Sequence, residues 1–135
     1  MKILALITDG LGGSGGIAQY TRDLVRALAE IHGSEITVVP RLGSGDSTMP
    51  PNVRQLAARP NKITYSVAAL VEAFRGGPFD AVYCGHLHLS PLAAFVSRCL
   101  SVPLWLQLHG QEAWSTPRGA QCWAADRSAS AVVVI

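Results

Sequence analysis

Apolar positions along this chain follow two alternating rhythms. Short, mostly apolar runs, Ile3 to Ile7, Glu35 to Pro40, Phe79 to Gly85, Val102 to Leu108 and Ser130 to Ile135, read as strands, the second apolar enough to be covered on both faces. Asn52 to Leu56 predicts a further short strand, the third in chain order. Between the runs the spacing changes to three and four. Ile17, Tyr20, Leu24, Leu28 and Ile31 mark one side of a first helix, with Gln19, Arg22, Asp23, Arg26 and Glu30 on the other and Gly33 as its stop. Ile63, Val67, Leu70, Val71 and Phe74 predict the buried side of a second helix, opened by Asn61 as N-cap and closed by Gly76-Gly77-Pro78. Ser90-Pro91 opens a third, with Leu92, Phe95, Val96 and Leu100 toward the core. Arg41 to Pro51, rich in Gly, Ser, Asp and Pro, predicts an exposed loop, and the stretch before Arg127 is polar and partly helical.

Strand and helix alternate throughout, which requires right-handed crossovers and a parallel sheet. The expected fold is α/β, a Rossmann-like parallel sheet with helices on both faces and strand order 3-2-1-4-5-6. Residues 1–135 make one domain, and its last apolar run ends the sequence with no turn or closing helix, so a fragment of a longer protein is expected.

Composition narrows the function. A net charge of +2 is too small to make nucleic acid the main partner, and no apolar run approaches a membrane span. No signal peptide is legible, which favours a cytoplasmic protein. Cys84, Cys99 and Cys122 are odd in number and widely spaced, as in reduced thiols rather than a disulfide frame or a zinc knuckle.

The candidate chemistry begins at Gly10-Leu11-Gly12-Gly13-Ser14-Gly15-Gly16, between the first strand and the first helix. Glycines there permit positive φ and leave the amides bare, and a helix start draws anions. A phosphate or diphosphate is expected, ahead of a loop that merely turns the chain. The run satisfies GxGxxG, but a dinucleotide site also wants an acid after the second strand, and that place holds Pro40-Arg41-Leu42. Arg41 is read as solvated rather than as the holder of a 2′-phosphate. An NAD(P)-binding oxidoreductase domain stays as an alternative, as does a stand-alone sugar- or nucleotide-binding module. His86 and His88 invite a metal, but with no third ligand in the neighbourhood none is expected.

Several pieces together resemble family 4 glycosyltransferases, enzymes of the GT-B fold. They are Gly15-Gly16-Ile17-Ala18-Gln19-Tyr20-Thr21-Arg22 with the helix that follows, Gly85-His86-Leu87-His88-Leu89-Ser90-Pro91, Leu106-Gln107-Leu108-His109-Gly110-Gln111-Glu112, and Ala125-Asp126-Arg127. The resemblance implies the N-terminal, acceptor-side domain of a retaining hexosyltransferase, with the C-terminal donor-binding domain absent and this chain inactive alone. It implies a nucleotide-sugar donor as substrate, no cofactor, no metal, and a glycan, polysaccharide precursor or lipid-linked acceptor. By the same resemblance His109 is the catalytic residue beside the transferred sugar. Gly15 and Gly16 offer amides to the donor diphosphate, while His86, Gly110 and Glu112 complete the substrate site. Glu112 either orients His109, binds acceptor hydroxyls or caps the next segment. Trp105 is expected in the core, and Trp114 and Trp123 are expected to pack rather than floor a sugar site. Arg22 and Arg26 are solvated by default, or meet an anionic lipid at the inner face of a membrane.

Overall fold

In the computed structural model, which describes residues 1–46, 48–114, 116 and 118–134, the chain forms a six-stranded parallel sheet flanked by helices. Chain order is β1 (Lys2–Asp9), α1 (Gly16–Ala29), β2 (Glu35–Leu42), β3 (Val53–Gln55), α2 (Lys62–Arg75) and β4 (Ala81–Cys84). A 3-10 turn over Leu87–Leu89 then leads into α3 (Ser90–Leu100), β5 (Leu104–His109), α4 (Gly110–Ala113), α5 (Gly119–Ala125) and β6 (Ser130–Val134). The strands lie in the order β3-β2-β1-β4-β5-β6, as the alternation predicts. Ile135, expected to close the sixth strand, and Ser47 in the predicted loop lie outside the described residues.

The sheet is a partition between two apolar clusters. On one side Ile3, Ala5, Ile7, Ile36, Val38 and Tyr83 pack beneath Val25 of α1 and Leu11. On the other, Leu4, Leu6, Val82, Cys84, Leu104 and Leu106 meet α2, α3 and α5. Consecutive residues of β1 feed opposite clusters, which is why its run is apolar without a gap.

Both long helices sit rotated from the side that their large apolar residues predicted. In α2 the buried residues are Tyr65, Ala69 and Ala73. Ile63, Val67, Val71 and Phe74 face solvent at 74%, 54%, 44% and 64% exposure. Alanines let the helix axis come close to the sheet, and the Tyr65 hydroxyl donates to the Val39 carbonyl at 3.1 Å, so a buried polar group fixes the rotation. In α1 the inward residues are Ala18, Thr21 and Val25, while Ile17 and Ile31 are exposed. Tyr20, Leu24 and Leu28 are half-buried and, with Tyr83 and Trp105, line an apolar groove of about 170 Å³. Trp105 therefore packs against the core without being enclosed by it. The helix stops at Ala29, with Gly33 (φ 72°) turning the chain beyond it. In α3, Phe95 is likewise exposed, at 51%. Ser90 is no N-cap; its buried hydroxyl donates to the Leu87 carbonyl at 2.8 Å and ties the 3-10 turn to the helix.

The segment after β2 is not a free loop. Gly10 N–H donates to Leu42 O at 2.7 Å and Gly12 N–H to Ser44 O at 2.9 Å, laying residues 42–45 over the glycine turn. Arg26 donates to Asp46 at 3.1 Å and to Thr48 at 2.6 Å, and Arg22 donates to Leu11 O at 3.0 Å. Two arginines read as solvated or lipid-facing thus clamp this segment. Among the described residues, no helix is long and apolar enough to cross a membrane.

Candidate functional site

Because β1, β4 and β5 are neighbours and parallel, the segments that follow them leave the sheet along the same edge. The order reverses between β1 and β4, the place where open α/β sheets leave a crevice for ligands. The glycine turn follows β1, His86 follows β4 and His109 ends β5.

The glycines of the turn divide into two kinds. A Cβ at Gly10 would lie 2.4 Å from the Ser44 carbonyl oxygen, and one at Gly12 would lie 2.4 Å from that of Gly45. Those positions are glycine because another stretch of backbone rests on them. A Cβ at Gly15 or Gly16 meets nothing within 4 Å. Gly15 has φ 102°, a conformation that favours glycine, and it opens α1 with no side-chain cap. By contrast, the Asn61 side chain accepts from Ile63 N–H and Thr64 N–H at the start of α2. The start of α1 therefore presents donors to open space.

At the other two strand ends the sequence draws its candidates into one network. Glu112 is its hub. One carboxylate oxygen accepts from Leu87 N–H at 2.9 Å and sits 2.5 Å from His86 Nδ1; the other accepts from His109 N–H at 3.0 Å. His86 stacks on His88 at 4.4 Å between ring centroids and lies 5.6 Å from the His109 ring. His109 is 8% exposed, and its Nε2 lies 3.0 Å from Gly85 O, a contact that assigns the proton to Nε2. Gly110 starts α4, so the chain turns away immediately after the ring. Burial lowers the His86 pKa below its ordinary 6.5, Glu112 opposes that, and His88 and His109 add to it. Burial thus favours the neutral imidazole, whose Nδ1 accepts from His88 N–H at 3.4 Å and lies against Glu112. Asp9 at the end of β1 also acts on His86, and the Cβ position of Gly13 is 3.4 Å from its Cβ, so the glycine turn and the histidines share a neighbour.

Sequence reasoning found no third group beside His86 and His88; the fold supplies Glu112, and the three ligand atoms lie within 4.8 Å of one another. Both oxygens of Glu112 already have N–H partners, which favours a hydrogen-bonding role. Cys84, fully buried beneath the cluster, has its thiol pushed up to about 12 by burial and is inert at neutral pH. Trp123 packs against the core with Arg127 4.6 Å from its ring, whereas Trp114, expected to pack, is 85% exposed beside α4.

Sequence reasoning also missed a cleft of about 650 Å³ that runs from His88 and Glu112 past Tyr65 to Arg41, Lys62 and Arg118. These three cations stand far apart in sequence, and only the packing of β2, α2 and the segment before α5 brings them to the lining of one cleft. No local pattern signals that.

A parallel sheet with an open helix start and a polar network at its order reversal is the architecture of a nucleotide- or sugar-handling α/β domain. The chain belongs to glycosyltransferase family 4, whose model matches residues 14–135. Among solved structures it is similar to Phytolacca americana UGT2 complexed with UDP-2fluoro-glucose and pterostilbene (13% identity, TM-score 0.55, 82% of this chain and 30% of that one). It is also similar to the lipopolysaccharide outer core galactosyltransferase WaaB in its apo form (15% identity, TM-score 0.52, 78% of this chain and 32% of that one). Phenylacrylic acid decarboxylase from Aquifex aeolicus matches at TM-score 0.51 and 16% identity, over 98% of this chain and 80% of that one. At such identities these likenesses establish the Rossmann-like fold alone. The chain spans about a third of the length of the two glycosyltransferases. No curated protein matches its sequence. The family match disfavours the oxidoreductase alternative, and Asp46, the nearest acid after the second strand, is taken up by Arg26.

Proposed function

We propose that this chain is the N-terminal, acceptor-side domain of a retaining hexosyltransferase. It would move a sugar from a nucleotide-sugar donor to a glycan, polysaccharide precursor or lipid-linked acceptor. The observation that carries the reading is the uncapped start of α1 at Gly15-Gly16, on the same sheet edge as the His86–Glu112–His109 network, in a chain of this family.

The geometry supports the following division of labour. Gly15 and Gly16 amides face the donor diphosphate, where fixed donors stabilise the charge that grows as the sugar–phosphate bond breaks. A second domain, the chain's C-terminal partner, holds the nucleotide. Glu112 is a positioning residue: it fixes His86 and the backbone at His109, so that a buried charge is spent on preorganisation rather than on the acceptor. His109, its Nε2 committed to Gly85 O, lies under the transferred sugar as the floor of the site, with Gly110 turning the chain aside. His86 faces the acceptor. No metal is required, because helix amides take over its electrostatic task. Peripheral contact with an anionic membrane face, in a cytoplasmic enzyme, comes through the exposed arc of α2 between Lys62 and Arg75 rather than through Arg22 and Arg26. Transfer from a radiolabelled nucleotide sugar, measured for the chain joined to its C-terminal donor-binding domain and for His109→Ala in the same enzyme, tests the reading: an unchanged rate removes His109 from the site.

A further inference from the structure

We infer that the acceptor carries a phosphate or similarly compact anionic group, bound in the cleft by Arg41, Lys62 and Arg118. The inference rests on the transferase reading for the word acceptor, but the anion site is argued from charge and shape alone. The cleft is about 650 Å³, ample for a phosphorylated sugar or a lipid headgroup. Its described carboxylate, Glu112, is consumed by Leu87, His86 and His109. Among the described residues none of the three cations forms a salt bridge, although Arg26, Arg54 and Lys2 elsewhere do. Arg41 is the most telling. Its Nη2 donates to Pro60 O at 3.0 Å, which anchors the guanidinium, while its Nε is fully buried and has no partner. A desolvated donor left unmatched costs stability, and clefts keep such donors where a ligand completes them. Lys62 and Arg118 are both exposed and add their charges to the field in the cleft. The anchored arginine gives direction, and the two exposed cations give attraction.

His88 and Glu112 line the cleft together with the three cations, whereas Gly15 and Gly16 do not. An anion seated among the three cations therefore places the rest of the acceptor toward the histidines. Donor phosphate and acceptor phosphate then occupy separate positive regions, and repulsion between them is avoided.

The test is a titration of inorganic phosphate into the protein at low ionic strength, followed by amide NMR. Shifts should gather at residues 41, 62 and 118. Lys62→Gln and Arg118→Gln should each weaken binding about tenfold, as loss of one charge-assisted hydrogen bond does. Arg98→Gln, on the exposed side of α3, should leave binding unchanged. Lys62→Gln is the decisive variant, since its exposed side chain makes no packing contact whose loss would unfold the protein; Arg41→Gln is a supplement. Shifts spread evenly over the surface, or an equal loss in Arg98→Gln, would overturn the site. Equal weakening of UDP by Lys62→Gln would assign the cleft to the donor and overturn the acceptor assignment. Glycerol 3-phosphate and phosphatidylglycerol vesicles, each against its uncharged counterpart, separate a soluble from a lipid-borne phosphate. Competition by either supports the inference, and by neither sinks it. Phosphate binding by this chain, with no sugar transfer even when it is joined to its C-terminal donor-binding domain, would leave the anion site standing and remove the transferase reading instead.

Discussion

Gly10 and Gly12 stand a few residues from Gly15 and Gly16, in one turn of one motif, yet the two pairs are glycine for opposite reasons. At the first pair the carbonyls of the segment after β2 fill the place of a side chain; at the second pair the place is empty. The first pair belongs to folding and the second to binding. A glycine-rich motif read as a single unit conflates the two.

Substitution can separate them. Gly12→Ala should have the largest effect, because its Cβ meets backbone that cannot swing aside; a loss of about 3 kcal/mol is expected from overpacking, read as a lowered urea midpoint. A midpoint within error of the parent would mean that residues 43–45 lift freely from the turn. Gly16→Val should leave that midpoint within about 1 kcal/mol, since the new side chain enters open space at a helix start. Transfer should nevertheless fall on the order of a hundredfold, as when an oxyanion-type donor is blocked. Full activity would reduce the open pair to a bend. Asn61→Ala, which opens the start of α2 as α1 is already open, should cost about 1 kcal/mol and leave transfer unchanged. A smaller effect is expected from pH. The folded His86 pKa lies below its unfolded value, so the unfolded chain takes up protons first, and stability is fully present above about 6.5 and declines as pH falls below it. Urea midpoints at pH 7.5 and 5.5 should differ for the parent and less for His86→Gln. The smallest effect is chemical: a thiol reagent under native conditions should label Cys99 and Cys122 and spare Cys84.

The sequence was most informative where one residue type has one physical use. Strand order followed from alternation, whereas His86, His109 and Glu112 were marked as site residues by the resemblance to family 4 glycosyltransferases. It misled wherever large apolar residues were taken to point inward. Ile63, Val67, Val71 and Phe74 make as clean a stripe as any buried helix face, but Ala69 and Ala73 offer closer approach and Tyr65 brings a hydrogen bond that only one rotation satisfies. Residue size says how much area a helix might bury, whereas the shape of the sheet beneath decides which side fits. The anion cleft was illegible for a different reason, as Arg41, Lys62 and Arg118 become neighbours only after three separate elements pack. Arg22 and Arg26 were marked as solvated because a helix pattern cannot show a loop folding back to meet them.

The central strand also sets a timetable. Ile3 is matched by Ala81, so β1 emerges from the ribosome and waits for a partner made 78 residues later. At roughly 5–20 residues per second that interval is about 4–16 s. Its other neighbour, β2, comes sooner, with Ile3 beside Ile36. During synthesis β1 and β2 with α1 can form an early half-sheet, but β1's second edge stays bare, and so does the apolar face that α2 and α3 later cover. A nascent chain with a bare strand edge and an uncovered apolar face is aggregation-prone, the condition that chaperones relieve. Slowing translation between α2 and β4 should lengthen that dependence, while the finished protein is unaltered.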